Sequence, residues 1–354
     1  MKYTPELDGI RALSILLVMI SHAGLGHIVP GGFGVTIFFF ISGYLITSLL
    51  IAEADKHQHI DLKKFYIRRF WRLLPPAIYF IGISSLLIVY INGGINYNEI
   101  LAALFYSANY YKIFIHFTNV DGLLSPFNIL WSLAIEEHFY ILFAPLLAIT
   151  YRSKLYFRII VLFLVLPLLI RLGYALIFPE LLHEGGYTYS ATEARIDSIA
   201  FGCFMAYILQ KSSSKEKFNK LVLKTSYFVF GAGLIVISLL FRDMFFRETI
   251  RYSLQNIGLF LMLSNVLFNQ AGFYAYLRKF LSLPVLTFTG KLSYSLYLQH
   301  WFSLTLVSYV LGVNKFSLEW QLSFWCLSLL TTLFSYYIIE QPTLALRRKY
   351  GSNV

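Results

Sequence analysis

Gly34-Val35-Thr36-Ile37-Phe38-Phe39-Phe40-Ile41-Ser42-Gly43-Tyr44-Leu45-Ile46-Thr47-Ser48-Leu49-Leu50-Ile51-Ala52 carries no charged side chain. A helix needs about 20 mostly apolar residues to cross a bilayer, and this run, continued to 53, has that length. Outward from it the pattern repeats. Segments 8–27, 34–53, 74–92, 127–150, 157–178, 194–210, 226–241, 252–269, 287–312 and 318–340 each read as one span. The 354 residues are 58% apolar, 18% aromatic and only 13% charged. Soluble domains carry about 25% charged residues. This composition excludes disorder, a collagen-like chain and a disulfide scaffold, and it leaves little room for a soluble enzyme. The expected fold is an all-α polytopic membrane protein of about ten transmembrane helices.

Charge sets the expected orientation. Lys plus Arg number 29 against 18 Asp plus Glu, a net charge of +11. The basic residues lie in short clusters between apolar runs. That is the pattern of membrane topology, so a lipid bilayer and no nucleic acid is the expected partner. Segment 99–111 is apolar but short, and Ser107 and Asn109 interrupt it. If it does not cross, a cytoplasmic N-terminus puts Lys56, Lys63, Lys64, Arg68, Arg69, Arg72, Arg152, Lys154, Arg158, Arg278 and Lys279 inside. Lys2, the lysines between 211 and 224 and the basic C-terminus join them. Lys112, Arg242, Arg247, Arg251 and Lys315 stay outside. The positive-inside rule thus predicts N- and C-termini in the cytoplasm and a long outer loop, 93–126, with a re-entrant or interfacial piece.

The organisation expected is a single membrane domain, 1–345, followed by a short basic cytoplasmic tail, 346–354. The predicted location is the cytoplasmic (inner) membrane, with multiple passes. The first apolar stretch carries Arg11 and His22 and lacks a small-residue cleavage site, so it reads as a retained span. Cys203 and Cys326 sit in apolar runs and read as buried packing residues, not as a disulfide or metal pair.

Charged residues within spans are costly and therefore candidates for function. Arg11 and His22, eleven positions apart, share one helix face about 16 Å apart along the axis. Asp8 is one turn before Arg11 and positioned to pair with it. Arg68, Arg69 and Arg72 sit at the predicted inner surface, suited either to lipid phosphate or to the phosphates of a cytosolic cofactor. Trp131-Ser132-Leu133-Ala134-Ile135-Glu136-Glu137-His138-Phe139-Tyr140 opens the fourth span with two carboxylates and a histidine. Arg195 and Asp197 begin the sixth, where a local ion pair is the plain reading. His300 follows in Ser293-Tyr294-Ser295-Leu296-Tyr297-Leu298-Gln299-His300-Trp301, and Glu340-Gln341-Pro342 closes the last span with Pro342 as the expected helix stop.

In this order the motifs resemble the acyltransferase-3 family of integral-membrane acyltransferases, which includes O-antigen, Nod-factor and macrolide acyltransferases. The family's acidic residue, Asp-Gly-Leu/Ile-Arg element and following histidine match Glu6, Asp8-Gly9-Ile10-Arg11 and His22. Its Gly-Val-Asp-x-Phe-Phe and Ser-Gly-Phe/Tyr elements match Gly34 to Phe39 and Ser42-Gly43-Tyr44, with Thr36 where the family often has Asp. Arg-Arg-x-x-Arg-x-x-Pro matches Arg68, Arg69, Arg72 and Pro75. Trp-Ser-Leu-x-x-Glu-x-x-Phe-Tyr matches Trp131, Ser132, Leu133, Glu136, Phe139 and Tyr140. The later elements match Arg195 and Asp197, then Ser293, Tyr294, Tyr297 and His300, then Glu340 and Pro342. The fused extracytoplasmic hydrolase-like domain of some members is not seen in this sequence.

The resemblance implies transfer of an acyl group, usually acetyl, from cytosolic acetyl-CoA or another acyl-CoA to a hydroxyl of an envelope carbohydrate. O-antigen lipopolysaccharide or another surface polysaccharide is the expected acceptor, met on the extracytoplasmic side. No metal is expected. A sugar hydroxyl is a poor nucleophile, and a positioned histidine removes its proton as attack begins. His22 is the expected base, with Glu136 or Glu137 orienting its ring. Arg11, Arg68, Arg69 and Arg72 are the expected grip on CoA phosphates. Ser42, Ser132 and Tyr140 are candidate oxyanion donors. Asp8, Trp131, Arg195, Asp197 and His300 are expected in substrate or structural roles. A double displacement through Ser132 or His22 stays open, although no nucleophile-elbow motif supports it. The competing readings are an exporter or flippase of a glycan or lipid-linked sugar, and an acyltransferase acting on a lipid or small molecule.

Overall fold

A computed structural model of the chain describes residues 3–118, 126–184, 186–210 and 212–348. Every regular element among them is helical. In chain order these are α1 (Pro5–Ile20), α2 (Gly31–His57), α3 (Leu62–Asn92), α4 (Tyr97–Leu104), α5 (Ala108–Thr118), α6 (Trp131–Thr150), α7 (Lys154–Ile177), α8 (Gly186–Ser190) and α9 (Thr192–Gln210). They continue as α10 (Ser212–Val222), α11 (Thr225–Leu240), α12 (Met244–Glu248), α13 (Ile250–Phe268), α14 (Gly272–Leu281), α15 (Pro284–Leu311), α16 (Leu318–Phe334) and α17 (Gln341–Arg348). A π-helical segment, Ser21–Leu25, extends α1, and a second, Ser335–Glu340, joins α16 to α17.

All ten segments expected to span fall on helices: α1, α2, α3, α6, α7, α9, α11, α13, α15 and α16. Among the described residues, six helices are long and apolar enough to cross a membrane. Two bent pairs, α10 with α11 at 69° and α13 with α14 at 96°, raise the number to as many as eight. The other two expected spans are α9 and α15, of 19 and 28 residues. They have the length, but buried polar side chains lower their apolar character: Arg195 and Asp197 in α9, and Ser293, Gln299 and His300 in α15. Segment 99–111 falls on α4 and α5, of 8 and 11 residues, too short to cross. Lys2, Lys211 and residues 349–354 of the expected tail lie outside the described residues.

α1 packs between α2 and α15, and α2 packs in turn on α9. At the α2–α9 crossing only glycine fits. A Cβ on Gly43 would collide with the Ile199 carbonyl, and one on Gly202 with the Phe40 carbonyl. Such backbone approach is how helices associate where lipid removes the hydrophobic drive between them. Asp61 caps α3 by accepting from the Lys64 N–H at 2.9 Å. That bond, with the Lys64 ammonium beside it, holds the Asp61 carboxyl below the usual carboxylate range.

The outward faces carry large exposed apolar side chains, among them Leu86, Ile149, Leu176, Leu240 and Leu330. A protein facing water does not sustain so broad an apolar surface, and a lipid-facing one does. The two cysteines divide on this point. Both are free, and Cys203 is buried as expected. Cys326 instead lies on the exposed face of α16, because an apolar helix side faces hydrocarbon as readily as core. Pro342 does not stop a helix either. It is the second residue of α17, into which the π segment Ser335–Glu340 runs directly.

Candidate active site

The π segment at the end of α1 brings His22 against α15. π turns inside helices are often found at functional sites. Gly24 closes this one at φ +114°, a conformation L side chains avoid, and a Cβ there would also meet the Phe316 ring at 3.3 Å. His22 Nδ1 lies 3.0 Å from His300 Nε2. The two imidazoles are parallel, 5.2 Å between centroids, and the edge of Trp301 packs on His22 at 4.9 Å.

The hydrogen bonds fix the tautomers. His300 Nδ1 is 2.9 Å from the Leu296 carbonyl, which only accepts, so Nδ1 carries the proton. Nε2 of a neutral His300 is then an acceptor, and His22 Nδ1 must donate to it. The lone pair of His22 is left on Nε2. A base oriented through Nδ1 with Nε2 free is the arrangement that general-base catalysis by histidine requires.

The hydrogen-bond partner of His22 is therefore His300, where the sequence suggested Glu136 or Glu137. Both carboxylates are engaged elsewhere. Glu136 accepts from Ser42 Oγ at 3.0 Å. Glu137 pairs with Arg69 at 3.0 Å, and the Arg69 guanidinium lies flat on the Tyr140 ring, 3.6 Å from its centroid. Five groups from α2, α3 and α6 thus answer one another across the bundle, with Arg69 supplying the charge that makes two adjacent carboxylates tolerable.

A cavity of about 470 Å³ runs from the N-terminal end of α1 to the start of α6. Arg11, Arg69, Arg72 and Lys291 are its cations; Asp8, Glu136 and Glu340 are its acids. Asp8 accepts from Tyr3 at 2.7 Å and lies 4.0 Å from Arg11. Glu340 accepts from Ser295 at 2.7 Å. At the far end stand Phe39, Ser132 and Tyr297. Tyr297 donates to the Ile129 carbonyl at 2.8 Å and bonds Ser132 Oγ at 2.7 Å. Its ring is 5.8 Å from that of His300, so one aromatic layer separates cavity and histidine pair.

Arg68 does not join the cavity. It pairs with Glu53 at 3.0 Å, because residues adjacent on a helix point about 100° apart and Arg69 takes the inward position. Lys291, which the sequence did not single out, takes a place on the wall; a lone cation two turns into α15 was its only signal. Among the described residues no group of three His, Cys, Asp or Glu is placed to hold a metal ion.

Arg195 and Asp197 do not pair with each other as expected. Asp197 bonds Arg171 at 2.8 Å, with both side chains fully buried. Two positions along a helix are about 200° apart, so the pair diverges. Arg171 also donates to Ser253 and to the carbonyls of Thr249 and Ala194. Arg195 donates to Thr36 Oγ1 at 3.1 Å and forms no ion pair among the described residues. Its Nε lacks a partner. Rings enclose it instead: Tyr252 at 4.0 Å, Tyr189 at 5.4 Å, Trp131 at 5.8 Å and Phe39 at 5.9 Å. Cation–π attraction over such distances offsets part of the charge's desolvation.

Comparison with known proteins places this geometry in context. The family model described as an acyltransferase domain matches residues 4–340. The O-acetyltransferase OatA of Staphylococcus aureus strain NCTC 8325 is 31% identical over 359 aligned residues, which cover 96% of this chain and 57% of OatA. A protein of S. aureus strain COL, provisionally named an O-acetyltransferase, is 34% identical over 308 residues, covering 85% of this chain and 50% of that one. The chain thus spans little more than half the length of these relatives. No solved structure matches.

Proposed function

The chain belongs to the acyltransferase-3 family of integral-membrane acyltransferases, and we propose that it carries an acetyl group from cytosolic acetyl-CoA to a hydroxyl of an envelope carbohydrate, such as O-antigen or another surface polysaccharide, with both termini in the cytoplasm of an inner-membrane protein. One observation carries this reading: a histidine pair leaves Nε2 of His22 unprotonated one aromatic layer from a cation-lined cavity.

The residues fit the donor. A cavity of about 470 Å³ has the size of a small-molecule site. Arg11, Arg72 and Lys291 near its α1 end suit phosphate oxygens, and its apolar length suits a slim pantetheine arm. In direct transfer, His22 Nε2 takes the acceptor's hydroxyl proton as the oxygen attacks the thioester carbon. The tetrahedral oxyanion collapses, the C–S bond breaks, and the imidazolium returns its proton to the departing thiolate. His300 holds the His22 ring and takes up part of the charge that develops on it. Ser42 and Ser132 on the cavity wall are the candidate oxyanion donors, each once its proton turns from the Glu136 or Tyr297 oxygen that now accepts it.

The test is release of CoA thiol from acetyl-CoA by membranes containing the protein, with isolated envelope glycan assayed for ester-linked acetate. Both are expected together. Thiol release without glycan acetate indicates another acceptor, and no thiol release overturns the reading.

Two further outcomes are expected. Arg11→Gln and Arg72→Gln raise KM for acetyl-CoA about tenfold to a hundredfold, the size of a charge-assisted hydrogen bond. Arg68→Gln, off the cavity, changes it by less than about twofold, as for surface ion pairs. Equal effects at Arg68 and Arg72 would reject the assignment. His300→Gln keeps an acceptor for His22 Nδ1–H and His300→Ala does not. The alanine variant is therefore expected to lose kcat about tenfold or more beyond the glutamine variant, with an altered pH profile and unchanged KM for acetyl-CoA.

A further inference from the structure

A second cavity, of about 570 Å³, lies at the opposite end of α1 from the first. Ser21, the neighbour of His22, and Gly31 and Gly32 at the start of α2 form one side; α8, α11, α12 and α13 form the rest. Arg242, Arg247 and Arg251 line it, and Glu248 is its one acid among the described residues. Glu248 is already committed: it accepts from Thr188 Oγ1 and lies 3.9 Å from Arg251. Arg242 and Arg247 form no ion pair among the described residues. The cavity therefore presents uncompensated guanidinium groups in a wall that also carries Tyr189, Tyr252 and Gln255.

Guanidinium donors in a wall that also carries tyrosines and an amide suit a saccharide bearing a carboxylate. The aromatic collar of Arg195 is shared between the cavities, since Phe39 lines the first and Tyr189 and Tyr252 line the second. We propose that this outer cavity is the acceptor site and that it selects an anionic saccharide, a chain in which a carboxylate lies near the hydroxyl that is acylated. The inference rests on the acyl-transfer reading for the word acceptor, but binding itself requires no turnover.

Isothermal titration of the full chain in neutral detergent tests it, using hyaluronan tetrasaccharide as the carboxylate-bearing probe and chitotetraose as the neutral one. The charged probe is expected to bind at least about tenfold tighter at low salt, where screening is weak. Arg247→Gln is expected to remove most of that preference. Arg242→Glu, at an exposed position that does not threaten folding, is expected to remove or reverse it. Equal affinities in the unaltered protein, or a preference that survives both substitutions, overturn the proposal. Displacement of the tetrasaccharide by phosphatidylglycerol in mixed micelles also overturns it, because the cavity then holds a lipid headgroup. Loss of CoA release with intact selective binding would instead refute the acyl-transfer reading alone.

Discussion

His22→Ala is expected to reduce acyl transfer by about a thousandfold or more, within the range that positioned general bases contribute, while the protein inserts at its normal level. The argument is geometric. His22 Nε2 has no other base to replace it in the bond network, since the second imidazole, His300, has its Nδ1 proton held by Leu296 and its Nε2 occupied by His22. Insertion survives because His22 is only partly buried and its removal costs one hydrogen bond and an edge contact with Trp301. CoA release and glycan acetate should fall together. Transfer at the unaltered rate in this variant would remove His22 from the mechanism.

Asp197→Ala is expected to fail differently, by loss of the folded protein. Arg171 and Asp197 are both fully enclosed. Removing one member of such a pair leaves an uncompensated charge and costs about 3–5 kcal/mol. The remaining acceptors of Arg171, Ser253 and two backbone carbonyls, are neutral. The expected result is a markedly lower midpoint of thermal unfolding in detergent and less inserted protein. Asp197→Asn keeps an acceptor oxygen and should fall between. An Asp197→Ala protein that melts with the unaltered one would show that the pair does not hold α7 to α9. The contrast with His22→Ala is the one expected between a residue proposed to perform chemistry and one that supports the bundle.

The helical class was legible, and every segment read as a span falls on a helix, because a bilayer demands long apolar runs, and such runs have no other common origin. The candidate site was legible only as a set of residue types. His22, Arg11, Ser132 and His300 announced themselves as polar groups in apolar surroundings, and Arg72 as one of a basic cluster at the predicted inner surface. Their pairing did not. His22 and His300 are 278 positions apart, and no local spacing links them; Glu136 and Glu137 were suggested by triad chemistry, and the structure bonds both to other groups. Asp197 illustrates the same limit: its partner was read as the near Arg195 and is the distant Arg171. Cys326 shows a third kind of ambiguity, since hydropathy cannot separate a side facing lipid from one facing core.

The enclosed guanidinium of Arg195 has an electrical consequence. A catalyst that admits a donor from one compartment and an acceptor from the other is a weak point in the insulation of an energised membrane. Between its two cavities this protein keeps a fixed positive charge ringed by aromatic side chains, with no ion-pair partner among the described residues. A fixed cation at a constriction raises the barrier to protons and metal cations. Under the proposed topology the acetyl group, being neutral, passes a barrier that ions do not, and chemistry proceeds across the bilayer without dissipating its potential.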